Sequence, residues 1–141
     1  MKLSDALRST GMLLGLLVTF AAATLPTAAA AESLSAMTQP AGLHVHMQSE
    51  LDPLVINQMH SWIIRVEDAQ GNPVSDADIR VDGGMPEHNH GLATRPQITA
   101  NLGEGDYRLE GVRFHMNGEW ELRLQIDHAG VTYQTALTLT L

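Results

Sequence analysis

Apolar and polar side chains alternate one for one along several short runs of this chain, and that period of two is the signature of half-buried strands. Leu43-His44-Val45-His46-Met47, Trp62-Ile63-Ile64-Arg65-Val66 and Ala77-Asp78-Ile79-Arg80-Val81 show it, as do 107–114, 120–126 and 131–141. A strand sends successive side chains to opposite faces, whereas a helix needs a repeat near 3.6, which no stretch sustains. A weaker strand is expected at 97–101. Turn signals separate the runs: Gln70-Gly71-Asn72-Pro73, Asp82-Gly83-Gly84, Gly103-Glu104-Gly105-Asp106, Asn117-Gly118 and His128-Ala129-Gly130. Gly and Asn accept positive φ there, and Pro fixes φ. Short strands at roughly ten-residue spacing predict an all-β fold, an immunoglobulin-like β-sandwich of about seven strands, with a small barrel as the alternative. The alternation also assigns faces. Trp62, Ile64 and Val66 point inward, with His60 on the same side and Arg65 and Glu67 outward; Trp120, Leu122, Leu124 and Ile126 form a second inward row. Both tryptophans are thereby accounted for as packing residues.

The N-terminal part has a different composition. Lys2 and Arg8 precede an apolar stretch at 11–25, and Ala28-Ala29-Ala30-Ala31 offers small-residue cleavage sites. This is the pattern of a secretory signal, so residues 1–31 are expected to be a cleavable signal peptide and the protein to reside in the periplasm or cell envelope. An apolar core of about fifteen residues is shorter than the roughly twenty of a spanning helix, so no membrane span is expected after cleavage; a retained anchor is the alternative. Residues 32–42 read as a flexible lead-in and 43–141 as the β-sandwich domain, with room for one core. The chain has no cysteine. Disulfides are excluded, and any soft metal ligand must be methionine. After the leader, six arginines face fifteen carboxylates and there is no lysine, a net −9. That charge argues against nucleic acid and anionic membrane surfaces as partners.

All seven histidines follow the leader, at 44, 46, 60, 88, 90, 115 and 128. The loop Met85-Pro86-Glu87-His88-Asn89-His90-Gly91 is the densest group. In extended chain, residues two apart point the same way, so His88 and His90 can converge on one ion, with Met85 three residues upstream. Two imidazoles and a thioether form a borderline-to-soft set that suits copper, Cu(I) or Cu(II), better than magnesium or calcium; zinc suits it less, because the loop supplies only two of its preferred ligands. The remaining ligands would come from His115 and Met116 or from His44 and His46. A carboxylate from Glu87 would shift preference toward Cu(II) or zinc. The plainer readings are a solvated loop, Met59 and Met116 as core fillers, His44 and His46 as a surface pair, His60 as a buried strand-end residue with a hydrogen-bond partner, and His128 as an exposed turn residue. Enzymatic signatures are missing: no cysteine nucleophile, no G-x-S-x-G, no H-E-x-x-H and no phosphate-binding glycine loop, so no catalytic residues are assigned.

The run from Met59-His60-Ser61-Trp62 through Asp68-Ala69-Gln70-Gly71-Asn72-Pro73-Val74, the loop Gly83-Gly84-Met85-Pro86-Glu87-His88-Asn89-His90-Gly91-Leu92, Gly105-Asp106-Tyr107 and Phe114-His115-Met116-Asn117-Gly118-Glu119-Trp120 resembles the YtkA-like family, which is related to FixH-like proteins. The resemblance covers most of the chain after the leader. It implies an envelope β-sandwich whose relatives handle copper around respiratory oxidases, so a copper-requiring oxidase is the implied kind of partner. Residue by residue it carries over first to Met85, His88 and His90, and secondarily to His115 and Met116. Two functions are therefore expected to compete: a copper metallochaperone or buffer, and a non-catalytic sandwich module that binds another envelope protein.

Overall fold

A computed structural model describes residues 31–141. The expected signal peptide lies outside the described residues apart from Ala31. Nine strands follow: β1 (Ser33–Met37), β2 (Leu43–Ser49), β3 (His60–Asp68), β4 (Asp78–Met85), β5 (His90–Gly91), β6 (Gln97–Gly103), β7 (Asp106–Val112), β8 (Glu119–His128) and β9 (Val131–Thr140). They form two antiparallel sheets, ordered β1-β2-β3-β7-β6 and β5-β4-β8-β9. Without β1, these orders are A-B-E-D and C′-C-F-G of the immunoglobulin sandwich, as the spacing of the runs predicts, and no barrel closes. Among the described residues, no helix is long and apolar enough to cross a membrane.

The inward rows fall where alternation puts them. Trp62, Ile64 and Val66 from β3 and Trp120, Leu122, Leu124 and Ile126 from β8 are buried in one cluster with Val45, Met47, Leu109 and Phe114. Each such side chain contributes about 1.5–3 kcal/mol relative to exposure, and with no disulfide this burial carries the fold.

Two expectations are corrected. The supposed flexible lead-in at 32–42 contains β1, which pairs with β2 from Ser33↔Gln48 to Met37↔His44. Leu34 and Ala36 are half-buried against the core, between exposed Ser33, Ser35 and Met37, a period too short and too small-sided to register as a strand. Beyond it, Gln39 exchanges backbone hydrogen bonds with Gln134 of β9, at 2.7 and 2.8 Å, so this segment stitches one sheet to the other. Second, Asp82-Gly83-Gly84 is no turn. β4 continues to Met85, with Gly83 and Gly84 paired to Leu122 and Glu121.

Register also defines the ends of the sandwich. His60 pairs with Val112, Gly84 with Glu121 and Glu119 with Thr140, so the chain leaving β4 and the chain entering β8 meet at one end. The opposite end is held by Tyr107, whose hydroxyl donates to the Val74 carbonyl at 2.8 Å and accepts from the Ala77 N–H at 3.0 Å.

Candidate metal centre

The histidine loop exists because two glycines, Gly83 and Gly84, precede the last residue of β4. A Cβ on Gly84 would stand 2.5 Å from the His90 carbonyl oxygen, and one on Gly83 would stand 2.9 Å from that of Glu121. Their absence lets β5 fold back tightly on β4, pairing Gly84 with Gly91 and Met85 with His90, and lets the Leu92 N–H reach the Gly83 carbonyl at 3.0 Å. Glycine here serves close backbone approach. Between the strands, Pro86–His88 makes one 3-10 turn, with Pro at its start where an N–H is not needed, and Asn89 takes the left-handed conformation at φ 52°. This geometry leaves His88 and His90 exposed, with ring centres 6.2 Å apart.

The β7–β8 connection approaches from the side. Phe114 is buried, with its ring 5.2 Å from that of Trp120, and the Trp120 indole N–H donates to the Met116 carbonyl at 3.0 Å. Gly118 and Leu141 exchange backbone hydrogen bonds, both at 3.0 Å, which closes the turn against the end of the chain. His115 stands edge-on to Trp120 at 5.2 Å, and its ring centre is 6.3 Å from that of His90. Its Nδ1 is buried with no hydrogen-bond partner among the described residues, so no protein group claims that nitrogen. His88, His90 and His115 thus form a row. Two imidazoles that share one ion through bonds of about 2 Å place their ring centres roughly 5–6 Å apart, so neighbours in this row, at 6.2 and 6.3 Å, must draw together to share an ion.

The methionines are placed differently from the sequence expectation. Met85 is not an open loop ligand. It is the last residue of β4, only 1% exposed, and its methyl end reaches Gly118, where an added Cβ would come within 2.6 Å of it. With Pro86, Asn89, His90 and Arg123 it lines a pocket beneath the loop, to which of the three row histidines only His90 contributes. Met116 is half-buried and packs against the core, which matches the plainer reading and places it as support for the Trp120 contact. Met59 does not fill the core: it is 55% exposed.

Of the other histidines, His60 is 7% exposed, as expected of a strand-end residue. Its Nδ1 lies 3.1 Å from the Gln58 carbonyl oxygen, and its Nε2 is buried without a partner. Burial holds its pKa below the ordinary histidine value, against a smaller upward pull from the Gln58 carbonyl. His128 is not an exposed turn residue. It is half-buried at the end of β8, with Nδ1 3.0 Å from an Asp76 carboxylate oxygen.

One group escaped the sequence reading. His44, His46 and Glu67 have ligand atoms that all lie within 4.8 Å of one another, the tightest such gathering among the described residues, while no three of the loop's His and Glu side chains come that close. The His-x-His repeat on β2 was visible in the sequence. Glu67 was not, because its place opposite His44 depends on the register of β2 with β3.

A family model described as YtkA-like matches residues 37–125, a span that runs from the end of β1 into β8 and includes both loops and the β2–β3 group. No curated protein and no solved structure matches the chain.

Proposed function

The chain belongs to the YtkA-like family, and from that premise we propose that it is a copper-binding protein of the cell envelope, a metallochaperone or buffer and not an enzyme. His88, His90 and His115 are the proposed ligands, with Met85, buried at the end of β4, as the soft donor nearest them in sequence. The observation that carries this reading is the row of three imidazoles, with ring centres 6.2 and 6.3 Å apart, assembled from two loops that are distant in sequence. Imidazole donors rank copper above zinc among divalent ions, and a thioether drawn from Met85 would extend that preference to Cu(I). The row stands on an exposed rim, where an incoming ligand from a partner protein can replace one imidazole at a time. Catalysis by a bound metal would need a water-excluding cleft and a positioned base, a different demand from that of an exposed carrier site. The leader-like residues 1–31 support export.

The test is a Cu(I) competition titration against a chromophoric chelator. His88→Ala with His90→Ala and His115→Ala should weaken Cu(I) binding by well over about tenfold, and Met85→Leu by less, while the metal-free proteins keep their sheet signature. His44→Ala with His46→Ala should leave Cu(I) affinity unchanged. A parent protein that binds no copper in either oxidation state, or a triple variant that binds Cu(I) like the parent, overturns the reading and favours a module whose histidine rim contacts another envelope protein.

A further inference from the structure

We propose that His44, His46 and Glu67 form a second metal site, built for divalent copper, on the outer face of the five-stranded sheet. On β2, Leu43, Val45 and Met47 are buried and the intervening His44 and His46 point outward. The β2–β3 register sets Glu67 directly across from His44 and Arg65 across from His46. The two rings are 4.1 Å apart with a tilt of 55°, and His46 Nε2 is 4.0 Å from Glu67 Oε2. The three ligand atoms are therefore already gathered, on paired strands that hold them more rigidly than loops would.

A neighbouring cation does not spoil the site. Arg65 is held by Asp106 in a two-bond fork, at 2.7 and 2.8 Å, which draws the guanidinium toward β7 and compensates its charge. Glu67 remains as the carboxylate beside the two imidazoles.

Ligand chemistry names the ion. Two nitrogens and a carboxylate oxygen, with no thioether in the set, are the ligands of Cu(II), and among first-row divalent ions such a site ranks copper above zinc. The loop row lies on the other sheet, so the two sites can be loaded independently and divide copper by oxidation state.

The experiment uses the full chain with His88, His90 and His115 replaced by alanine, so that only this site is read. Cu(II) titration should then end at one equivalent, with a tetragonal electron paramagnetic resonance signal split by two imidazole nitrogens. Adding His44→Gln with His46→Gln, which keeps a polar outer face, should abolish that signal with the circular dichroism spectrum unchanged. Glu67→Gln should weaken binding by about tenfold or more. The site is refuted if the loop-deleted chain binds no Cu(II), or if the His44→Gln/His46→Gln pair leaves the signal as it was. Equimolar Zn(II) displacing the copper would refute its assignment to Cu(II). Because the loop is read with Cu(I) and this site with Cu(II) in a chain lacking the loop ligands, either result can fail without the other.

Discussion

Replacing Gly84 by alanine tests whether the histidine loop depends on backbone contact. The added methyl would meet the His90 carbonyl oxygen at 2.5 Å, against 3.4 Å or more for an ordinary contact, so that oxygen must retreat by about 0.9 Å. Two responses compete. If β5 stays paired, the overpacked contact costs about 1–3 kcal/mol. If β5 peels away, the fold loses its short ladder and the Leu92–Gly83 hydrogen bond, each bond worth about 0.5–1.5 kcal/mol net. The cheaper response sets the cost, about 1–2 kcal/mol, or a fall in melting temperature of roughly 5–15 °C for a domain of this size. Because the strain is local, amide exchange at Leu92 should accelerate far more than exchange in β3 or β8. Displacing His90 from His115 should also lower Cu(I) affinity. Gly91→Ala is the control: the nearest atom to its new Cβ is 3.9 Å away, so it should stay within about 0.5 kcal/mol of the parent. If Gly84→Ala melts and exchanges like Gly91→Ala, close approach of the two strands does not hold the loop.

The core makes a separate demand. Trp62→Ala and Trp120→Ala should each cost about 3–5 kcal/mol in denaturant unfolding, a large share of the roughly 5–15 kcal/mol of such a domain, and a melting curve like the parent's would refute the inward assignment. The phenylalanine variants should diverge, because the Trp62 indole N–H is buried without a partner whereas that of Trp120 holds the Met116 carbonyl; only Trp120→Phe should loosen the 115–118 turn and weaken Cu(I) binding. His60 gives a pH dependence. Burial lowers its folded-state pKa below the value of 6.5, so above pH 6.5 its effect on stability is constant. As pH falls below that, the unfolded chain takes up a proton that the native state refuses, and stability declines until the folded pKa is reached. His60→Leu should flatten this decline between urea midpoints taken at pH 7.5 and 5.5, and equal slopes for parent and variant would refute it.

What could be read without the structure was whatever repeats locally. The rows led by Trp62 and Trp120 are legible because a buried strand face repeats every second residue. The His88/His90 loop is legible because its ligands are neighbours in sequence. Features that depend on register were not. His115 comes beside His90 through the pairing of β4 with both β5 and β8, and Glu67 comes opposite His44 through the pairing of β2 with β3. Gly83 and Gly84 misled because glycine marks turns and close approaches alike, and only the carbonyls of Glu121 and His90 distinguish them. Met85 misled for a related reason: β4 runs four residues past Val81 and so places Met85 in the core and not in an open loop.

A sandwich is also judged by what its unpaired strand edges offer to other chains. Two residues past the end of β1, Gln39 occupies backbone groups of Gln134 in β9, and the Thr135 hydroxyl adds a bond to the Met37 carbonyl at 3.0 Å. A few residues therefore shield the edge of β2 and part of the edge of β9 together. At the other margins, β5 is only two residues long and β6 is interrupted by register shifts, which makes both poor templates for strand addition. Losing the segment before β2 would uncover the edge of β2 and part of that of β9 at once, along with the core contacts of Leu34 and Ala36.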